Sequence, residues 1–210
     1  MNKTKVILVG GRQRAGKSTF AKLLAKQLGD SAKVYNFAYV IKKELKPLIW
    51  ETYGLDSFSE VSEEKEKFRS MLIEFGREKR LISAGSFFRN RIADEIRKDN
   101  PKYAIIGDWR YNRFENDEYS LVREFPGIAL HVTKWVTEGG RRFEIPSTNA
   151  DENENDPIIK NVAHYHVNWT DPQNGESVEN WCNHYVSQFL EHYKSFFCEK
   201  TERNIIGRVG

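Results

Sequence analysis

Residues 5–19 read KVILVGGRQRAGKST, and this stretch decides the fold. Lys5 to Gly10 is a short apolar run ending in glycine, the pattern of a strand covered on both faces. From Lys17 onward the apolar residues Phe20, Leu23, Leu24 and Leu28 fall at helical spacing, and Gly29-Asp30 closes that helix. Between strand and helix stand Gly11, Gly16, Lys17 and Ser18, which satisfy the spacing G-x-x-x-x-G-K-[ST]. The chemistry explains the pattern. Glycines let the main chain wrap closely around an anion. The amides from Arg14 and Ala15 through Gly16, Lys17 and Ser18 to Thr19 then turn inward, and the helix adds the positive end of its dipole. Lys17 is placed to reach the β- and γ-phosphates of a nucleoside triphosphate, and the Ser18 hydroxyl to ligate Mg2+. A chance match arises on the order of once in a hundred chains of this length, and the strand before and helix after it favour function. Arg12 and Arg14 bring charge to the loop, although loop arginines are commonly just solvated.

Outward from this stretch, apolar runs predict further strands at Lys33–Phe37, Lys102–Gly107, Ile128–Val132 and Val162–Val167. Helical spacing predicts helices over Val40–Tyr53, kinked or restarted at Pro47, over Ser62–Phe75, with Gly76 as an end or a close approach, and over Gly85–Lys98. It also predicts a charged helix over Asn112–Phe125 and a long last one over Val178–Phe197. Thr133 to Pro157 has no apolar period, and its acidic, amide-rich part, Asn149–Asp156, reads as a mobile solvent-facing loop. Strands alternating with helices imply a three-layer α/β domain around a five-stranded parallel sheet, in a single domain over residues 1–210.

Bulk properties exclude several classes. A net charge of +3, with basic residues dispersed among acids, does not point to nucleic acid. No window approaches eighteen apolar residues and no secretory signal precedes the first strand, so the expectation is a cytoplasmic protein without a membrane span. Cys182 and Cys198 read as reduced thiols. His164 and His166 share a strand face but lack a third ligand, and His131, inside a strand, reads as packed.

The second chemical signal is Asp108-Trp109-Arg110, directly after the apolar run YAIIG at 103–107. Ligands of open α/β sheets bind beyond the carboxyl ends of strands. There a carboxylate such as Asp108 serves Mg2+, directly or through water, and Arg110 clamps a phosphate. The bland alternative is an Asp-Arg pair closing a strand end.

The phosphate loop, the R-x-x-L-x-x-x-G spacing from Arg69 through Leu72 to Gly76, the D-x-R of Asp108 and Arg110, and the I-x-L-H-V strand at 128–132 with His131 come in that order. In this the chain resembles the bacteriophage deoxynucleoside monophosphate kinases, and phosphomevalonate kinases share a related core. The resemblance implies a P-loop NTPase fold with sheet order 2-3-1-4-5, a substrate-binding helical region at about 38–100 and a lid insertion at about 134–158. It also implies ATP as donor, Mg2+ as cofactor, a deoxynucleoside monophosphate as acceptor and, for a phage protein, the host cytoplasm. Carried over by motif, Lys17 bridges phosphates in the transition state, Arg110 and Arg69 hold the acceptor, and Gly76 keeps its helix close to the substrate. Arg141 and Arg142 are the lid cations, set against a reading as solvated surface arginines. The family's lid carries a histidine ahead of a glutamate. Here the stretch 151–154 has no histidine, although Glu154 keeps the acid. Two other classes stay open: a kinase for a phosphorylated non-nucleotide acceptor, and a nucleotide-binding regulatory module. No N-K-x-D base reader supports a GTPase. The acceptor base, the choice of ATP or GTP, and a homodimer are left open by the sequence.

Overall fold

The computed structural model describes residues 3–170 and 177–198. Its centre is β1 (Lys5–Gly10), flanked by β3 (Tyr103–Trp109) and β4 (Gly127–Glu138), both parallel to it. Beyond them lie β2 (Ala32–Tyr35) and β6 (Tyr165–Thr170), again parallel. The five parallel strands therefore run β2-β3-β1-β4-β6, which counted along the chain is the 2-3-1-4-5 order that the resemblance implied, the fold of P-loop kinases. Alternate residues of β1 serve opposite layers. Ile7 and Val9 pack with Phe20 and Leu24 of α1 (Lys17–Leu28) and with Val186 and Phe189 of α7 (Val178–His192). Val6 and Leu8 pack with residues of α2 (Phe37–Tyr53) and α4 (Ser86–Asp99), among them Phe37, Val40, Phe88 and Ile92.

Several sequence expectations shift. α2 runs unbroken through Pro47 and begins three residues earlier than predicted. α3 (Ser62–Ile82) continues past Gly76, which marks a close approach and no end: a Cβ there would stand 3.3 Å from Ile41 Cδ1 on α2. Asn112–Phe125 is mostly irregular, with one 3₁₀ turn at Glu118–Ser120 and the four-residue α5 (Leu121–Glu124). Asp117 and Glu118 explain this. Their carboxylates accept nearby main-chain amides, those of Glu118 and Arg113 for Asp117 and those of Arg110 and Tyr111 for Glu118, in place of a helical ladder. The last predicted helix is divided into α7 and a short α8 (Lys194–Phe197).

The largest correction concerns Thr133–Pro157. β4 extends to Glu138, turns at Gly139-Gly140 and returns as antiparallel β5 (Arg141–Glu144). Trp135 pairs with Thr170 of β6 on one edge and Glu144 of β5 on the other. β5 thus takes the edge that β1 leaves after the Gly10–His131 pairing. Asn149–Asp156 is no loop: it caps and opens α6 (Ala150–Val162). Its helical period was hidden because the inward face is partly polar, with Asn155 and Asp156 buried beside Ile159.

Candidate active site

The loop between β1 and α1 is built around two glycines. Gly11 has φ 130°, and a Cβ on it would lie 2.2 Å from the Val132 carbonyl oxygen. Gly16 has φ 94°, and a Cβ there would enter the Trp169 indole at 1.9 Å. Both need the left-handed region and the space, so no other residue fits. Arg14 also adopts positive φ (63°) and is exposed, while Ala15 is buried. No side chain caps α1, so the amides of Lys17, Ser18 and Thr19 face outward without intrahelical acceptors. Ser18 is exposed, and its hydroxyl has no hydrogen-bond partner among the described residues. That suits a hard cation.

Lys17 is buried, and its Nζ donates to the Arg12 carbonyl at 2.6 Å. Burial, then repulsion from Arg110, pulls its pKa down to about 8, against the fields of Glu152, Asp108 and Asp156. Asp108 and Arg110, at the end of β3, thus lie within electrostatic reach of Lys17. Within Asp108-Trp109-Arg110 the three side chains part. Asp108 accepts the amides of Phe37 and Ala38, each at 2.8 Å, and so caps α2, whose own Asn36 makes no side-chain cap. Burial raises its pKa, against the two amides, Arg110 and Lys17. Trp109 is core, donating from Nε1 to the Tyr111 carbonyl at 3.0 Å and stacking on Tyr119. Arg110 is exposed, and its guanidinium makes no hydrogen bond or ion pair among the described residues.

Arg69, on α3, reaches the P-loop: its Nη2 lies 3.5 Å from Gln13 Oε1, and it also pairs with Glu66. Gly76 faces Ile41 of α2. Arg141 and Arg142 are exposed on β5, with Arg142 5.0 Å from the Trp135 ring centroid. Among the described residues, no hydrogen bond or ion pair joins either to the P-loop.

Three groups escape the sequence reading. Glu152 accepts the Gln13 amide with one oxygen and the Thr148 amide, at 2.9 Å, with the other. It stands three residues after the cap Asn149, whose side chain accepts the Glu152 amide at 2.8 Å, so the signal was a capping box. Arg12 donates to Asp156 and to the Ile145 carbonyl, both at 2.9 Å, and Asp156 meets buried His131 Nε2 at 2.9 Å. Arg12 is thus fixed beneath the loop, and beside it an open cleft of about 590 Å3 runs along Pro146, Thr148, Asn149 and Asn153. The third group is a buried cluster of Arg80, Asp117 and Glu118 behind Arg110, which no local spacing announces. Burial raises the Glu118 pKa, while the Arg80 guanidinium and the Arg110 amide pull it down and favour the carboxylate.

The dephospho-CoA kinase of Campylobacter jejuni has a similar fold, with 16% identity and a TM-score of 0.50 over 93% of this chain and all of that one. The TT1252 structure from Thermus thermophilus aligns over 94% of this chain and all of that one, with 13% identity and a TM-score of 0.46. Among curated proteins nothing matches. The protein is a small-molecule kinase by its fold and its family match. The phosphomevalonate kinase family model matches residues 9–120, from the P-loop through the Asp117–Glu118 cluster and more than half of the chain. The chain belongs to the phosphomevalonate kinase family.

Proposed function

We propose that the protein transfers the γ-phosphoryl group of ATP to the phosphate of a nucleoside 5′-monophosphate, giving the diphosphate. The observation that carries this reading is the charge arrangement around Lys17. The Arg110 guanidinium, unpartnered among the described residues, stands in its field, while the acids in the same field, Glu152, Asp108 and Asp156, are all held by hydrogen bonds. Such a site neutralises phosphates and offers no free general base, which suits an acceptor that is already anionic. Lys17 exchanges the Arg12 carbonyl for the transferring phosphates, Arg110 clamps the acceptor phosphate, and Arg69 approaches from α3. Mg2+, held by Ser18 and the phosphates with Asp108 behind it, would neutralise charge on the β- and γ-phosphates. The hairpin and first α6 turns, residues 134–158, act as the lid, with Arg141 and Arg142 as its cations. A planar base is supported by Tyr39, half exposed in the first turn of α2 and set 5.0 Å from Phe58.

The match over residues 9–120 favours a second reading, a phosphorylated non-nucleotide acceptor such as phosphomevalonate. One panel separates them: ATP with each common nucleoside and deoxynucleoside monophosphate and with phosphomevalonate, followed by coupled ADP release. Acceptor-dependent turnover with a nucleoside monophosphate is expected. Turnover with phosphomevalonate alone moves the assignment to the second reading, and no turnover with any acceptor overturns the kinase reaction proposed here.

A further inference from the structure

We propose that Arg80 and Glu118 are positioning residues, whose buried ion pair fixes the main chain at Arg110 and thereby aims its guanidinium at the acceptor phosphate. The inference rests on the reading of Arg110 as the acceptor clamp.

The geometry leads there step by step. Glu118 Oε2 accepts two consecutive amides, Arg110 at 2.8 Å and Tyr111 at 3.1 Å. Its Oε1 accepts Arg80 Nη2 at 2.6 Å. Asp117 holds the other side of the guanidinium, with Oδ1 3.4 Å from Arg80 Nε, and the same oxygen accepts the Glu118 amide at 3.0 Å. The flat face of Arg80 lies 3.5 Å from the Tyr111 ring centroid. The turn after β3 is thus held at its amides by Glu118 and at its ring by Arg80. All three charged side chains are buried, at 7%, 0% and 1% exposure for Arg80, Asp117 and Glu118. Arg80 sits on α3, the helix that also carries Arg69. One rigid link therefore joins the two arginines that face the acceptor.

Stability alone accounts poorly for this cluster. A buried ion pair gains little over apolar residues of the same volume, because both ions lose their hydration. What an apolar replacement cannot do is accept two adjacent amides while being oriented by a planar, forked donor.

The test is steady-state ADP release with the best acceptor of the panel, below the unfolding range of every variant, alongside thermal melts. The full-length variants are Arg110→Met, Glu118→Gln, Arg80→Lys and the uncharged triple Arg80→Met/Asp117→Asn/Glu118→Gln. Arg110→Met defines loss of the clamp. Glu118→Gln is expected to raise the acceptor KM about tenfold while the ATP KM stays within about twofold. Arg80→Lys, which keeps the charge but loses the fork, should fall between it and the wild type. The uncharged triple should regain the melting temperature without regaining the acceptor KM. An acceptor KM that follows the melting temperature across the series overturns positioning and leaves a structural role. A wild-type acceptor KM in Glu118→Gln beside a damaged Arg110→Met overturns it as well. If Arg110→Met is itself unaffected, the clamp reading fails and this proposal with it. A phosphomevalonate acceptor would fail only the nucleoside assignment, and the same series then runs with that substrate.

Discussion

Lys17 carries its charge in a place that resists charge. Burial and the Arg110 guanidinium lower its pKa to about 8, so the free protein holds an ammonium that begins to titrate just above neutrality. Two outcomes follow. Lys17→Ala should abolish turnover while melting cooperatively, since among the described residues the Nζ bonds only to the Arg12 carbonyl; retained turnover would remove Lys17 from the chemistry. In the wild type, kcat/KM for ATP should fall as pH rises through about 8, because that parameter follows the free protein. The limb in kcat should lie higher, because bound phosphates favour the charged form. The sign for stability is the reverse: the buried ammonium weakens the fold below about 8, and the penalty is relieved as pH rises toward the unfolded value of 10.5. A pH–rate profile with no difference between the two limbs would contradict this. At this scale the sequence was legible wherever function depends on local spacing, as in Gly11, Gly16, Lys17 and Ser18. It was silent where the partner comes from the far end of the chain. Nothing near Gly16 announces that Trp169 fills the space its missing Cβ leaves. Gly16→Ala should therefore lose the ATP-induced rise in melting temperature, read by thermal shift, through both positive φ and that collision.

Elements were legible when their buried face is apolar. α1 and β1 match their predicted bounds because Phe20, Leu24, Ile7 and Leu8 mark the faces that the sheet and helices cover. α6 was misread for the opposite reason. Its inward face carries Asn155 and Asp156, which a periodicity argument counts as solvent-facing. Its start depends on Asn149 accepting the Glu152 amide, while Glu152 returns a carboxylate to the Thr148 and Gln13 amides. Asn149→Ala should cost about 1 kcal/mol in urea unfolding with an unchanged m-value. Because the same turn holds Gln13, it should also weaken ATP binding; a loss of stability with native ATP affinity would separate α6 from the P-loop. The predicted helix over Asn112–Phe125 failed by a related mechanism, since acids that read as a solvated helical face instead bind the turn around Arg110.

Across the molecule, one chain of largely buried polar contacts ties the phosphate loop to β4, β5 and α6. Arg12 leaves the loop for Asp156 on α6 and the carbonyl that follows β5, Asp156 meets His131 on β4, and His131 meets Thr133 at 3.1 Å. Burial works to raise the Asp156 pKa, but the His131 hydrogen bond and charge and the Arg12 guanidinium outweigh it, and the carboxyl ends below its ordinary value. A carboxyl lowered in the folded state contributes stability that is complete above the unfolded value, near 3.9, and is lost as pH falls through the folded one. Asp156→Asn should therefore destabilise the protein near neutrality and flatten the acid limb of melting temperature, where pH falls below the ordinary carboxylate range. The same variant tests how the loop and α6 communicate. ATP binding only the folded state adds RT ln(1 + [L]/Kd), about 2.7 kcal/mol at a hundredfold excess over Kd. If Arg12 transmits the loop's order to α6 through Asp156, Asp156→Asn should lower that increment by weakening ATP affinity, beyond its effect on the unliganded fold. Equal ATP-induced shifts in the two proteins would mean that the loop and α6 are only neighbours in the fold, and that the network supports each of them separately.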